Sequence, residues 1–185
     1  IRGRGTPVSL PDDGSSYFSI PFPVAFYDTA YSDIAIDSNG VIFFCDAQSW
    51  TLNSCMPQNI NNCNRFIAGF WDNLNPSAGG KVFWQALGSA PERMLIIQYQ
   101  DIPHGSSGEA VTFQVILYED SYHILMQYLD GSFESAEGYF GATATVGLQR
   151  DARYGQQYSC NEQVLRNESA ILWFRPTYCS GLKGD

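Results

Sequence analysis

Residues Val111 to Tyr128 read V-T-F-Q-V-I-L-Y-E-D-S-Y-H-I-L-M-Q-Y, and no other stretch limits the fold as strongly. Val111, Phe113, Val115 and Leu117 alternate with Thr112, Gln114, Ile116 and Tyr118. After Glu119-Asp120-Ser121, Tyr122, Ile124, Met126 and Tyr128 alternate with His123, Leu125 and Gln127. A period of two is that of a pleated strand, whose successive side chains point to opposite faces. Two such runs joined by a short polar link predict an antiparallel hairpin. Ile116, Tyr118 and Leu125 make the second face partly apolar too, which predicts a central hairpin covered to some extent on both sides. The apolar spacings of three and four that a helix needs are missing.

The rest of the chain repeats this grammar. Tyr17–Ile20 reads as a strand, and Pro21 and Pro23 in the following P-F-P-V-A-F-Y run confine it to a sheet edge. Ser38-Asn39-Gly40 is a turn signal between Asp33–Asp37 and Val41–Phe44, giving a second hairpin. Strand patterns return at Phe66–Trp71, Lys81–Ala86, Arg93–Gln100, Ala142–Leu148 and Ala170–Phe174, while Arg150–Asn167 reads as largely irregular. About ten short strands separated by turns predict an all-β antiparallel sandwich or jelly roll. No repeat and no second core is evident. The expected organisation is an extended arm over 1–16, one sandwich domain over 17–179 and a tail over 180–185.

Composition narrows the function. Hydrophobic residues are 44% of the 185, enough for a sizeable core, and 11 Tyr with 12 Phe suit half-buried strands. The net charge of −9 with 10 Lys+Arg leaves no clustered cations for phosphates beyond Arg2 and Arg4, which excludes nucleic acid. No apolar run approaches the roughly 18 residues of a membrane-spanning helix. A chain opening Ile1-Arg2-Gly3-Arg4 reads as a processed product or a fragment.

Five cysteines stand at Cys45, Cys55, Cys63, Cys160 and Cys179. No C-x-x-C pair and no Cys/His ligand spacing points to zinc. All five lie beside Asn-, Ser- and Pro-rich loop sequence, where disulfides staple long connections and mark an oxidising compartment. The expected pairing keeps the clusters apart: one bridge within Cys45/Cys55/Cys63, and Cys160 with Cys179. The leftover thiol is free or joins another chain. Asn167-Glu168-Ser169 is a glycosylation sequon at Asn167.

Candidate sites are few. A hydrolytic triad needs Ser, His and a carboxylate together. Only His104 and His123 are present, with no G-x-S-x-G elbow. Glu119 and Asp120 sit at a hairpin tip, where acids are ordinary turn chemistry. The chain is therefore expected not to be an enzyme and to need no cofactor. The inorganic partner best matched is calcium, through the oxygens of Asp72, Asn73 and Asn75. His104 in a Gly/Ser loop and Trp50 in the polar cysteine loop are candidate ligand contacts. Phe70, Trp71, Trp84 and Tyr99 are either core or an aromatic platform for sugars.

The order of several motifs resembles nidogen-like (NIDO) extracellular domains. Phe22-Pro23-Val24-Ala25-Phe26-Tyr27 followed by Ile36-Asp37-Ser38-Asn39-Gly40-Val41-Ile42-Phe43-Phe44 is similar to their opening strand and N-G hairpin. Ile67-Ala68-Gly69-Phe70-Trp71-Asp72 before Gly80-Lys81-Val82-Phe83-Trp84, and Thr112-Phe113-Gln114-Val115-Ile116-Leu117 with Gln127-Tyr128, are similar to the next two blocks. Val146–Gln149 and Gly155–Asn161 are similar to related β-sandwich modules of secreted bacterial surface proteins. Gly69 stands where nidogen-like domains favour Pro, and the cysteine loop has no counterpart in the pattern. The resemblance implies an extracellular or cell-surface, non-catalytic module of adhesive or structural proteins. Its expected partners are proteins or further copies of itself, assembled into a filament through the N-terminal arm; a carbohydrate-binding module is the alternative.

Overall fold

The computed structural model describes residues 4–27, 29–45, 52–60, 63–130 and 141–174. The alternating stretch forms β8 (Ala110–Tyr118) and β9 (Ile124–Asp130), paired with Phe113 opposite Tyr128, Val115 opposite Met126 and Leu117 opposite Ile124. Around this hairpin the first sheet runs β1 (Thr6–Val8), β6 (Lys81–Leu87), β7 (Met94–Pro103), β8, β9, β12 (Ser169–Trp173). The second runs β11 (Tyr154–Cys160), β10 (Thr145–Asp151), β5 (Phe66–Trp71), β4 (Val41–Phe43), β3 (Thr29–Asp37), β2 (Ser15–Phe26). Neighbouring strands are antiparallel throughout, and the sheets stack as a sandwich with no helix among the described residues.

The inward set predicted for β8 and β9 makes the core. Phe113, Val115, Leu117, Ile124, Met126 and Tyr128 are all under 5% exposed. They meet Ile34, Ile36, Ile42, Ile67 and Phe70 of the second sheet. Phe113 stacks between Tyr99 and Tyr128, with ring centroids 4.5 and 6.3 Å away. Both phenols then cross the sandwich: Tyr99 donates to the Asp37 carbonyl at 2.7 Å and Tyr128 to the Gly69 carbonyl at 2.7 Å. These bonds fix the lateral position of one sheet on the other, which apolar contact alone does not do. The site of Gly69 is also crowded, since a Cβ there would lie 2.7 Å from Val115 Cγ2 and 2.9 Å from the Phe113 ring. Gly40 closes the β3–β4 turn at φ +83°, with the Phe70 carbonyl 2.0 Å from any Cβ, so glycine alone fits there.

Four sequence expectations change. The described residues hold twelve strands rather than about ten. Tyr17–Ile20 and the Pro-containing run merge into one twelve-residue edge strand, β2, whose register breaks between Ser19 and Val24 where the prolines remove ladder donors. Arg150–Asn167 is not largely irregular, because β11 pairs along β10 through bulges that hide its alternation. Thr6–Val8, inside the stretch expected to be an arm, pairs with Val82–Trp84 of β6.

The second sheet also carries a second apolar cluster, which the single-core reading did not anticipate. Ala35, Val41, Phe43, Phe66, Ala68 and Trp71 face away from the sandwich interior and are buried by Ile60, Cys63, Cys45 and Met56. The cysteine loop is the covering layer. Cys45 bonds Cys63, within the first cluster as expected, but Cys160 bonds Cys55 and not Cys179. The loop folds back over β10 and β11, and that tertiary contact, invisible in sequence spacing, brings Cys55 to Cys160. Cys179 lies outside the described residues.

Polar groups hold the layer down. Gln149, fully buried on β10, accepts from the Gln58 amide and donates to the Gln58 carbonyl, both at 2.6 Å, and donates to the Asn64 carbonyl at 3.2 Å. Asn53 donates to Thr145 Oγ1 and Asn161 Oδ1, and Gln157 accepts from the Met56 amide. Gly147 leaves room for the loop, since a Cβ would meet Met56 Sδ at 2.9 Å.

Candidate functional site

The cysteine loop caps the second sheet over β3, β4 and β5, and the outer face of the first sheet opens toward its β12 edge. Gln98 on β7, Gln114 on β8 and Gln127 on β9 are direct cross-strand neighbours, and Ala170 on the edge strand β12 continues the row. Residues level in register project to one face, so three amides lie side by side. Gln114 Nε2 donates to Gln98 Oε1 at 2.7 Å, Gln98 Nε2 to Gln100 Oε1 at 2.9 Å, and Gln100 Nε2 to Asp101 Oδ2 at 3.2 Å. The chain runs in one direction and ends on a carboxylate. An amide that donates into such a chain has a more polarised carbonyl, so Gln114 Oε1 at its head is strengthened as an acceptor. Gln98 is only 2% exposed, whereas Gln127 is exposed.

This row borders a cavity of about 480 Å³ lined by Gln98, Gln114, Gln127, Leu129, Glu168 and Ala170. The next row is apolar: Ile96, Ile116, Leu125 and Leu172 are level across β7, β8, β9 and β12. Burial falls toward the sheet edge, from 5% exposure at Ile96 to 44% at Leu172. Leu129 and Phe174 are exposed as well, Phe174 lying edge-on against the His123 ring. This face therefore combines the donors and acceptors of the amide row, with Lys81 of β6 level with Gln100 at its far end, and an apolar strip ending on an open edge.

A second constellation gathers at the end of the sandwich. His104 forms a bridge with Leu74, which sets its ring beside Asp72: Nε2 lies 3.4 Å from Asp72 Oδ1. Asp72 is almost fully buried and also accepts from Thr143 Oγ1 at 2.7 Å and the Asn73 amide at 2.8 Å. Ser106 Oγ lies 3.0 Å from His104 Nδ1, so the structure does bring Ser, His and Asp into line. Yet the backbone N–H groups of Ser106 and Ser107 also point at Nδ1, at 3.3 and 3.4 Å. Three donors converge on one lone pair, which makes Nδ1 the acceptor that ties the turn together. A general base for Ser106 would give that lone pair to the Ser106 hydroxyl, whereas here two backbone N–H groups share it.

The other sequence candidates separate. Asn73 and Asn75 share the Asp72 segment but engage in turn bonds. Asn75 Oδ1 accepts from the Ser77 amide and hydroxyl and the Ala78 amide, and its Nδ2 donates to Asp12. Among the described residues no group of three or more His, Cys, Asp or Glu is arranged to hold a metal ion. Asn167 is exposed in the turn before β12. Trp50 lies outside the described residues. Of the four aromatics, Phe70, Trp71 and Tyr99 are core residues at most 1% exposed and form no sugar platform, while Trp84 is half-buried and stacks on Phe18 at 5.4 Å. Their alternation served packing. Glu119 pairs with Arg93, whose guanidinium also sits 4.6 Å from the Phe22 ring centroid. The hydrogen bond from Arg93 holds the Glu119 carboxyl below its usual range. The amide row escaped sequence reading, although Gln98, Gln114 and Gln127 occupy the outward positions of three strands.

An antiparallel β-sandwich with two disulfides defines the class of disulfide-stapled, extracellular-type β-domains. The family profile described as NIDO related matches residues 3–171, and the chain belongs to this NIDO-related family. It is a family of non-enzymatic modules, and with the two disulfides it points to secretion. No curated protein and no solved structure matches the chain. No helix of the described residues is long and apolar enough to cross a membrane.

Proposed function

We propose that this domain is a non-catalytic adhesive or structural module at the cell surface, engaging its partner through the outer face of the first sheet. One observation carries the reading: beside the open edge strand β12 the outer face of the first sheet exposes Gln127, Leu129, Leu172 and Phe174, while the stapled loop covers the apolar cluster on β3, β4 and β5 of the second. Exposed apolar side chains grouped at a sheet edge favour contact with another molecule. The test is retention of domain-coated beads on a cell-derived extracellular matrix. Retention is expected, and Leu172→Asp with Phe174→Asp abolishes it; equal retention of the variant refutes the assignment of this face. Labelling of Ser106 by a fluorophosphonate probe would overturn the non-catalytic reading.

A second reading rests on β1. Three residues from the start of the chain complete the edge of β6, and a strand this short can be exchanged between copies. Such exchange predicts reduction-resistant oligomers in sedimentation that disappear when residues 1–8 are deleted.

A further inference from the structure

The same face has a chemical character that narrows its ligand. From the amide row and its cavity, and resting on the interaction-module reading above, we infer that the first sheet binds a neutral saccharide unit. A sugar hydroxyl both donates and accepts, and a primary amide is the side chain that offers both in one plane. Gln98 is locked by two hydrogen bonds, one on each of its amide atoms, and positions its neighbour. Gln114 gives one N–H to that lock, which leaves its polarised Oε1 and second N–H for the cavity. Gln127 stands next to it, exposed and level in register, so the two amides meet adjacent hydroxyls of one ring.

Apolar area for the C–H face of the ring comes from Leu129 and Ala170. Ala170 is the small residue of the row, and its short side chain leaves the space on the edge strand. A volume of about 480 Å³ falls within the range of small-ligand sites, and a unit of this size enters from the open β12 edge. Charge weighs against the other common ligands. Among the described residues the cavity's charged lining side chain is Glu168, and the chain carries a net charge of −9, which disfavours phosphorylated, sulfated or carboxylated ligands.

The experiment is a titration of the isotopically labelled protein with neutral oligosaccharides of glucose, galactose, mannose and N-acetylglucosamine. It follows the side-chain amide signals of Gln114 and Gln127. At least one oligosaccharide is expected to shift both signals saturably. Gln127→Ala and Gln114→Ala each weaken that binding about tenfold, the loss of one to two neutral hydrogen bonds. Tyr17→Ser, an exposed residue of β2 on the other sheet, leaves it unchanged. Gln127 is exposed, so its replacement tests the contact without touching the core. No response to any of the sugars at millimolar concentration overturns the inference, as does binding that survives both glutamine variants. If beads still adhere to matrix while every sugar fails, the saccharide fails and the module reading stands. If sugars bind but the Leu172→Asp/Phe174→Asp variant adheres to matrix as well as the parent, the assignment of adhesion to this face fails instead.

Discussion

Replacing Cys55 and Cys160 together with alanine should destabilise the domain more than replacing Cys45 and Cys63. The reason lies in the unfolded chain. The Cys55–Cys160 bridge spans 105 residues and the Cys45–Cys63 bridge 18. Loop-closure entropy then assigns about 4.8 kcal/mol to the long bridge and about 3.2 kcal/mol to the short one. Cys55 lies inside the shorter loop, but the detour through one bridge never shortens the path closed by the other, so the contributions are separate. In the folded state both variants keep the Gln149, Asn53 and Gln157 bonds that seat the loop, which confines the difference to the denatured ensemble. Urea unfolding of both variants in a Cys179→Ser background measures it. The expected gap is about 1.6 kcal/mol, with a larger slope for the long-bridge variant because its unfolded chain exposes more surface. If the Cys45/Cys63 variant is equally or more destabilised, the ordering by loop length is wrong, and the short bridge acts by holding the second apolar cluster closed.

Three further outcomes follow from the buried polar groups. Gln149→Leu strands the Gln58 amide and carbonyl and one bond to Asn64, each costing roughly 1–3 kcal/mol if left unmet, and it should raise hydrogen exchange through 53–60 before the rest of the domain. Tyr128→Phe removes the donor to the Gly69 carbonyl and should cost about 1–3 kcal/mol in urea unfolding, whereas Tyr27→Phe should be neutral or stabilising, since the Tyr27 hydroxyl is buried with no partner among the described residues. Stability should also fall at both ends of the pH range. Arg93 holds the folded Glu119 carboxyl below its ordinary 4.5, so that contribution is complete above pH 4.5 and fades as pH falls through the folded value. Burial raises the Tyr99 and Tyr128 phenols above their ordinary 10, so their contribution is complete below pH 10 and is lost above it. Melting temperature against pH, with Glu119→Gln flattening the acid limb and Tyr128→Phe the alkaline limb, checks both signs.

Much of the fold is written in local chemistry. The period of two from Val111 to Tyr128 determines the central hairpin and its inward face. Ser38-Asn39-Gly40 determines a turn that no side chain beyond hydrogen could make, and Pro21 and Pro23 put their strand at an edge. These are decided by the chain's own stereochemistry, so a sequence displays them. Tertiary structure alone decides what lies across the sandwich or across a sheet. Cys55 reaches Cys160 because the loop folds back over β10 and β11, and spacing along the chain carries no trace of that. Trp71 and Tyr99 are packing residues because each acquires a layer above it. Gln98, Gln114 and Gln127 form one row because strand pairing places them level, 16 residues apart for the first pair. Local stereochemistry specifies which way a side chain points from its own strand; only the register of its neighbours decides what stands beside it.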